Sequence, residues 1–198
     1  MAAMLPGAVR NEADLGSLGR TYNVGGLGGG RSSVSGSSAA TLDSFFDRID
    51  YPYFVVTVRT ADGDMSGCLA GFVTQCSINP PNFLVCISRV NHTFPVAMQA
   101  VAMGLHLLGV EQTEMARLFG EETGDRVDKF AQCDWWLGST GAPLLAEAAV
   151  SLEGHILGHM SVGDHEAFLM RGERSLDRGS RGLLTYRNGP RFVPGHPN

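Results

Sequence analysis

The 198-residue sequence is poor in charge. Only 18% of it is Asp, Glu, Lys or Arg, with fifteen basic against twenty acidic residues and a formal net charge of -5. A nucleic-acid binder ordinarily carries a basic patch or stripe, so that class is not expected. No apolar run approaches the ~18 residues that a membrane-spanning helix requires. Met1 to Arg20 holds no continuous apolar segment of the kind a secretory leader needs. The four cysteines, Cys68, Cys76, Cys86 and Cys133, form no C-x-x-C pair, and a chain of this size does not need disulfide staples. A cytoplasmic protein with reduced thiols is therefore expected. The G-x-S-x-G elbow, the phosphate-binding G-x-x-x-x-G-K-[ST] loop and the H-E-x-x-H zinc motif are all missing, which removes the common hydrolases. His155, His159 and His165 have no carboxylate or cysteine at a recognisable ligand spacing, so no metal is expected.

The sequence is 43% hydrophobic, enough for one domain with a substantial core. Residues 1–40 differ from the rest: nine glycines, six serines and Tyr22 as the sole aromatic. Such a stretch buries too little apolar surface to offset its ordering entropy, and a disordered arm is expected. Its run Gly25-Gly26-Leu27-Gly28-Gly29-Gly30 lacks the G-x-G-x-x-G spacing of a dinucleotide loop. From residue 41 to 198 one folded domain is expected. Leu42, Phe45, Phe46 and Ile49 recur at helical spacing behind Thr41. Strands are predicted at Tyr53–Arg59, from about Met65 with a bulge at Gly71, at Val73–Ile78, and at Phe83–Ser88. A helix from Thr93, a strand at Gly104–Leu108 and a helix at Thr113–Phe119 follow. Gly120–Gly141 reads as loop apart from Trp135-Trp136. Long strands at Ala149–His159 and Glu166–Arg174 flank the turn at Gly163-Asp164. A last hairpin is predicted around Asn188-Gly189. Many strands with few helices point to a mainly β, antiparallel barrel with peripheral helices.

Three local features carry candidate chemistry. In Ser88-Arg89-Val90-Asn91-His92-Thr93 a strand gives way to a helix start, where free N–H groups favour an anion such as phosphate. Ser88, Asn91 and Thr93 add neutral donors and Arg89 a charge. The same residues also suit a plain helix cap and a solvated arginine. In Ser66-Gly67-Cys68-Leu69-Ala70-Gly71-Phe72, two glycines in a strand pattern mark close approach of another group to the backbone, or an ordinary barrel corner. In Gly163-Asp164-His165, a turn presents an imidazole that could donate a hydrogen bond at a site mouth or serve the structure alone.

Taken in order, these segments resemble the flavin reductase-like, FMN-binding split-barrel family. The likeness is carried by Gly67–Pro81, Phe83–Ser88, Asn91-His92-Thr93, Ala116-Arg117-Leu118-Phe119-Gly120, Lys129-Phe130 to Trp135, Gly141-Ala142-Pro143-Leu144-Leu145 and Gly163-Asp164-His165. It extends from about Leu42 to Val193. It implies a six-stranded antiparallel Greek-key split β-barrel with peripheral helices, a homodimer with FMN (FAD as an alternative) at the subunit interface, and hydride taken from NADH or NADPH. Reduced flavin would pass to a partner flavin-dependent monooxygenase; a non-catalytic electron carrier of the same fold and a structural or interaction module with a decayed pocket are the other readings. By position, Ser66, Gly67, Cys68, Leu69, Gly71 and Phe72 would line the ring and ribityl chain, with Cys86 and Ser88 beneath the latter. Arg89, Asn91, His92 and Thr93 would hold the phosphate, Phe119 would pack on the flavin and Tyr186 would close the pocket. His165 would serve the nicotinamide side. Leu69-Ala70-Gly71-Phe72 stands where relatives often carry hydroxyl side chains, leaving backbone N–H groups as the donors. His92 stands where they often carry arginine.

Overall fold

A computed structural model describes Phe45 and residues 48–195. The glycine- and serine-rich arm, and most of the helix expected behind Thr41, lie outside the described residues. The chain is mainly β. Strands β1 (Phe54–Thr60), β2 (Met65–Ala70), β3 (Val73–Ser77), β4 (Asn82–Ser88), β5 (Ala100–Leu107), β8 (Val150–Val162) and β9 (His165–Asp177) form one antiparallel sheet in the order β2-β1-β5-β8-β9-β4-β3. Strands β6 (Trp135–Leu137) and β7 (Pro143–Leu145) pair separately. Two short helices, α1 (Thr93–Ala97) and α2 (Thr113–Gly120), sit between strands. No helix among the described residues is long and apolar enough to cross a membrane.

The count of six sheet strands is corrected to seven, for a local reason. The stretch from Met65 to Ser77 is interrupted at Gly71-Phe72, and the two resulting strands occupy opposite ends of the ladder. The step from Ala70 to Val73 reaches at most about 11 Å, so the sheet must roll until its two ends are neighbours at Gly71-Phe72. No backbone pairing between β2 and β3 closes it among the described residues.

Side-chain alternation along β1 builds two cores, because successive residues of a strand face opposite ways. Val56 and Val58 enter the inner core with Cys68, Val85, Ile87, Met103, Leu105, Phe168 and Met170. Val55 enters a second core with Leu108, Met115, Ala116, Phe119, Phe130, Leu145 and Leu184. Each fully buried aliphatic or aromatic side chain contributes about 1.5–3 kcal/mol by leaving water. Between Val55 and the small sheet, Thr57 donates its hydroxyl to the Pro143 carbonyl.

The hairpin expected around Asn188-Gly189 is not formed. Leu184 instead bonds by its backbone to Tyr53 and Leu108, while Asn188 accepts the Thr185 N–H at 2.7 Å to make a local turn. Burial of Leu184 in the second core outweighs the hairpin signal. Gly120–Gly141, expected to be loop apart from Trp135-Trp136, carries β6 at that exception and also a 3-10 turn at Phe130–Gln132.

Candidate functional site

The crossing at Gly71-Phe72 leaves main chain uncovered where the two ends of the sheet meet, and a crevice of about 250 Å³ opens there. Its floor is the segment Cys68–Phe72, and its side is the end of β4 from Cys86 to Ser88. The opposite wall is the end of α2, at Phe119 and Gly120. Helix α2 packs that closely because Met115, Ala116 and Phe119 form its buried face, and because Gly67 lacks a side chain. A Cβ at Gly67 would lie 2.8 Å from the Phe119 ring. At Gly71 the opposite holds: a Cβ would meet nothing within 4 Å. A flat ligand therefore has open backbone to lie against.

His165 stands at one end of the crevice. The β4–β9 register sets Ser88 opposite His165, so the end of one strand and the start of the next arrive together. The imidazole is 19% exposed, and its Nδ1 lies 2.7 Å from Asp164 Oδ1. Its ring meets the edge of Phe72 at 5.4 Å between centroids. The hydrogen bond to His165, with its charge, holds the Asp164 carboxyl below its ordinary range. Two thiols also border the crevice, and burial pushes the pKa of both Cys68 and Cys86 up. They are neutral donors near pH 7, not nucleophiles.

Of the residues singled out in the sequence, Cys68, Leu69, Gly71, Phe72, Cys86 and Ser88 line this crevice, together with Asn91, Phe119 and His165. The others sit elsewhere. Ser66, Gly67 and His92 line a second hollow beside the first half of β2, which Asp125 and Lys129 also line. His92 Nδ1 lies 2.8 Å from Asp125 Oδ1. Thr93 is buried, its hydroxyl 3.0 Å from that of Ser66. Arg89 turns to the buried Glu166 at 2.9 Å, which also accepts from Ser161 and meets His159 Nδ1 at 2.7 Å. Tyr186 is 53% exposed and packs beside Tyr53, 6.4 Å between ring centroids.

The loop between β4 and α1, expected to hold a phosphate, offers fewer free donors than its residues imply. Helix α1 is a single five-residue turn, and Thr93 N–H is taken by Asn91 Oδ1 at 2.9 Å. Ser88 and Asn91 remain as the polar side chains of the loop on the crevice.

The sequence reading missed one wall. Phe192, Pro194 and Gly195 cross beside the end of α2 and line the crevice with Tyr53 and Glu122. Phe192 packs edge-on against Tyr53 at 5.0 Å. Gly195 N–H reaches the Gly120 carbonyl at 3.3 Å, and Val193 N–H reaches Glu121 Oε1 at 3.3 Å. Phe192 carried the available signal, an aromatic in a polar terminal segment.

The chain is similar to proteins of known activity. It is 34% identical over 115 residues to the "FMN reductase (NADH) RutF" of Acinetobacter baylyi, covering 57% of this chain and 61% of that protein's length. It is 31% identical over 143 residues to the "4-hydroxyphenylacetate 3-monooxygenase reductase component" of Klebsiella oxytoca, covering 70% and 83% of the two chains. Among solved structures, the NADH:FAD oxidoreductase SgcE6 of Streptomyces globisporus superposes with a TM-score of 0.67 at 27% identity, over 83% of this chain and 99% of that one. Residues 46–193 match the model of the flavin reductase like domain. With a crevice of open main chain at the seam of a rolled antiparallel sheet, the chain belongs to the flavin reductase like family.

Proposed function

We propose that the protein is an NADH-dependent flavin reductase that transfers hydride to FMN and supplies the reduced flavin to a monooxygenase. The observation that carries this reading is the crevice floored by bare backbone at Leu69–Phe72, with an oriented histidine at its end. The residues fit a flavin: the floor accepts a flat ring because no side chain projects from Gly71, and Phe72, Phe119 and Phe192 give apolar contact. Ser88 and Asn91 offer donors for the ribityl and phosphate groups. FMN supplies the hydride-accepting ring, common to FMN and FAD, and reduced nicotinamide supplies the hydride. The protein's own task is to orient and to exclude water. Asp164 fixes the His165 imidazole, which then borders the space left for the nicotinamide. No side-chain acid or base is needed for hydride transfer.

The relatives' names support NADH as the reductant and a monooxygenase as the recipient. We infer that the rolled sheet is the Greek-key split barrel implied by the family. Its hairpins β1–β2, β3–β4 and β8–β9 interleave along the ladder instead of following in sequence. We also infer a homodimer in the cytoplasm. Phe72, Val90, Leu157, Met160 and Val162 are exposed apolar residues at the crevice rim and on the outer half of β8, as a subunit interface requires.

Mixing protein, NADH and FMN tests the activity. NADH is expected to be consumed only when flavin is present, and no consumption overturns the reading. Flavin binding without NADH oxidation makes the protein a carrier. In His165→Ala, turnover is expected to fall about ten- to a hundredfold through lost positioning, while FMN affinity changes by less than about threefold. Equal loss of both would move His165 into the flavin site.

A further inference from the structure

Lys129 is a cation in an unusual place. It is only 6% exposed. Its Nζ lies 3.2 Å from the Gly67 carbonyl and 3.2 Å from the Phe119 carbonyl. It also sits 5.5 Å from the centre of the Phe119 ring. Gly67 belongs to the floor strand and Phe119 to the helix wall, so the ammonium stands directly behind the corner where these two surfaces of the crevice meet. Among the described residues, no carboxylate comes within ion-pair distance of it. Burial pushes its pKa down.

A buried charge is costly unless an opposite charge compensates it. Carbonyl dipoles and a ring face offset part of that cost, as they would for any clasp between β2 and α2. A neutral group would clasp at lower cost. Retention of a full charge is accounted for if a negative charge forms on the other side of the wall. Hydride transfer makes one: NADH becomes NAD+, and the neutral flavin ring, on gaining two electrons and one proton nucleus, becomes an anion.

We propose that Lys129 favours reduced over oxidised flavin in the crevice by placing its positive charge behind the Gly67–Phe119 corner. This rests on the flavin reading above. Lys129 acts through the wall and is not a catalytic residue. A single charge behind one layer of side chains is expected to favour the reduced form by on the order of tenfold.

The test compares dissociation constants for oxidised FMN and for FMN reduced under anaerobic conditions, in wild type, Lys129→Gln and Lys129→Arg. Glutamine keeps N–H donors for the two carbonyls but removes the charge; arginine keeps the charge. Wild type is expected to bind reduced FMN about tenfold more tightly than oxidised FMN. Lys129→Gln is expected to lose that preference, which corresponds to a fall of about 30 mV in the bound flavin's two-electron midpoint potential. Lys129→Arg is expected to retain it. An unchanged preference in Lys129→Gln, with both affinities intact or both weakened alike, overturns the proposal and leaves a structural clasp. If Lys129→Gln does not fold, wild type still decides: equal affinity for the two forms overturns the proposal. Wild type that binds neither form overturns the flavin reading itself.

Discussion

A leucine at position 71 is expected to abolish flavin binding while leaving the fold intact. A Cβ at Gly71 meets no atom within 4 Å, and its backbone does not adopt positive φ, so the larger residue costs the empty protein little. The same side chain would stand in the space where the ring must lie. A ligand pressed against backbone cannot shift by a methyl group's width without losing its contacts to the opposite wall, here Phe119 and Gly120. FMN affinity in Gly71→Leu is expected to fall at least about a hundredfold, equivalent to roughly 3 kcal/mol. Fluorescence quenching of FMN reads the affinity, and thermal unfolding checks the fold. Undiminished affinity would place the flavin elsewhere. A matching change at Gly67 is a poor test, because there the Cβ strikes the Phe119 ring and the packing of α2 would fail first.

The second large effect is on stability and comes from His106, which is fully buried in β5. Its Nε2 accepts the Leu145 N–H at 3.1 Å, so the neutral ring carries its proton on Nδ1, directed at the Val55 carbonyl 2.9 Å away. One donor and one acceptor are what that position requires, and only neutral imidazole supplies both. Burial lowers the His106 pKa from 6.5 to about 4, although the Val55 carbonyl favours the charged form. Above pH 6.5 folded and unfolded states are both neutral, and stability is unaffected. As pH falls from 6.5 to 4 the unfolded chain binds a proton that the folded one refuses. Stability therefore falls through this window by about 3 kcal/mol in total, and no further below it. His106→Gln keeps a donor and an acceptor but does not titrate. Denaturant unfolding at pH 7.5, 5.5 and 4 is expected to show wild type losing about 3 kcal/mol more than the variant. Parallel losses would mean that His106 is protonated in the folded state.

Much of the β scaffold was legible because it depends on short-range signals. Phe54–Thr60 alternates between two cores and is rich in β-branched residues. Gly163 takes the positive φ that its turn between β8 and β9 demands. The floor of the crevice was legible for a similar reason at Gly71, where the backbone is left open, whereas Gly67, the other glycine of the pattern, marks the close approach of the Phe119 ring. What the sequence did not show was which hollow each stretch of a strand borders once the sheet rolls. Ser66 and Cys68 are two apart on β2 and face the same way, yet Ser66, near the start of the strand, borders the second hollow while Cys68, farther along, lines the crevice. Partner choice was equally hidden. Arg89 reads as a phosphate ligand next to Ser88 and Asn91, but Glu166 lies 77 positions away in sequence and 2.9 Å away in space. The Asn188-Gly189 signal was real at the level of a turn; the strands it would have joined were claimed by long-range contacts to Leu108 and Tyr53.

The wall formed by Phe192–Gly195 has a consequence for truncation. The floor, the helix and the histidine of the crevice all precede residue 166, and the large sheet ends at Asp177. A chain ended at residue 190 would therefore keep every strand of that sheet and lose one side of the groove. Such a chain is expected to fold and to hold FMN more weakly, which separates what the last segment does for the ligand from what it does for the scaffold.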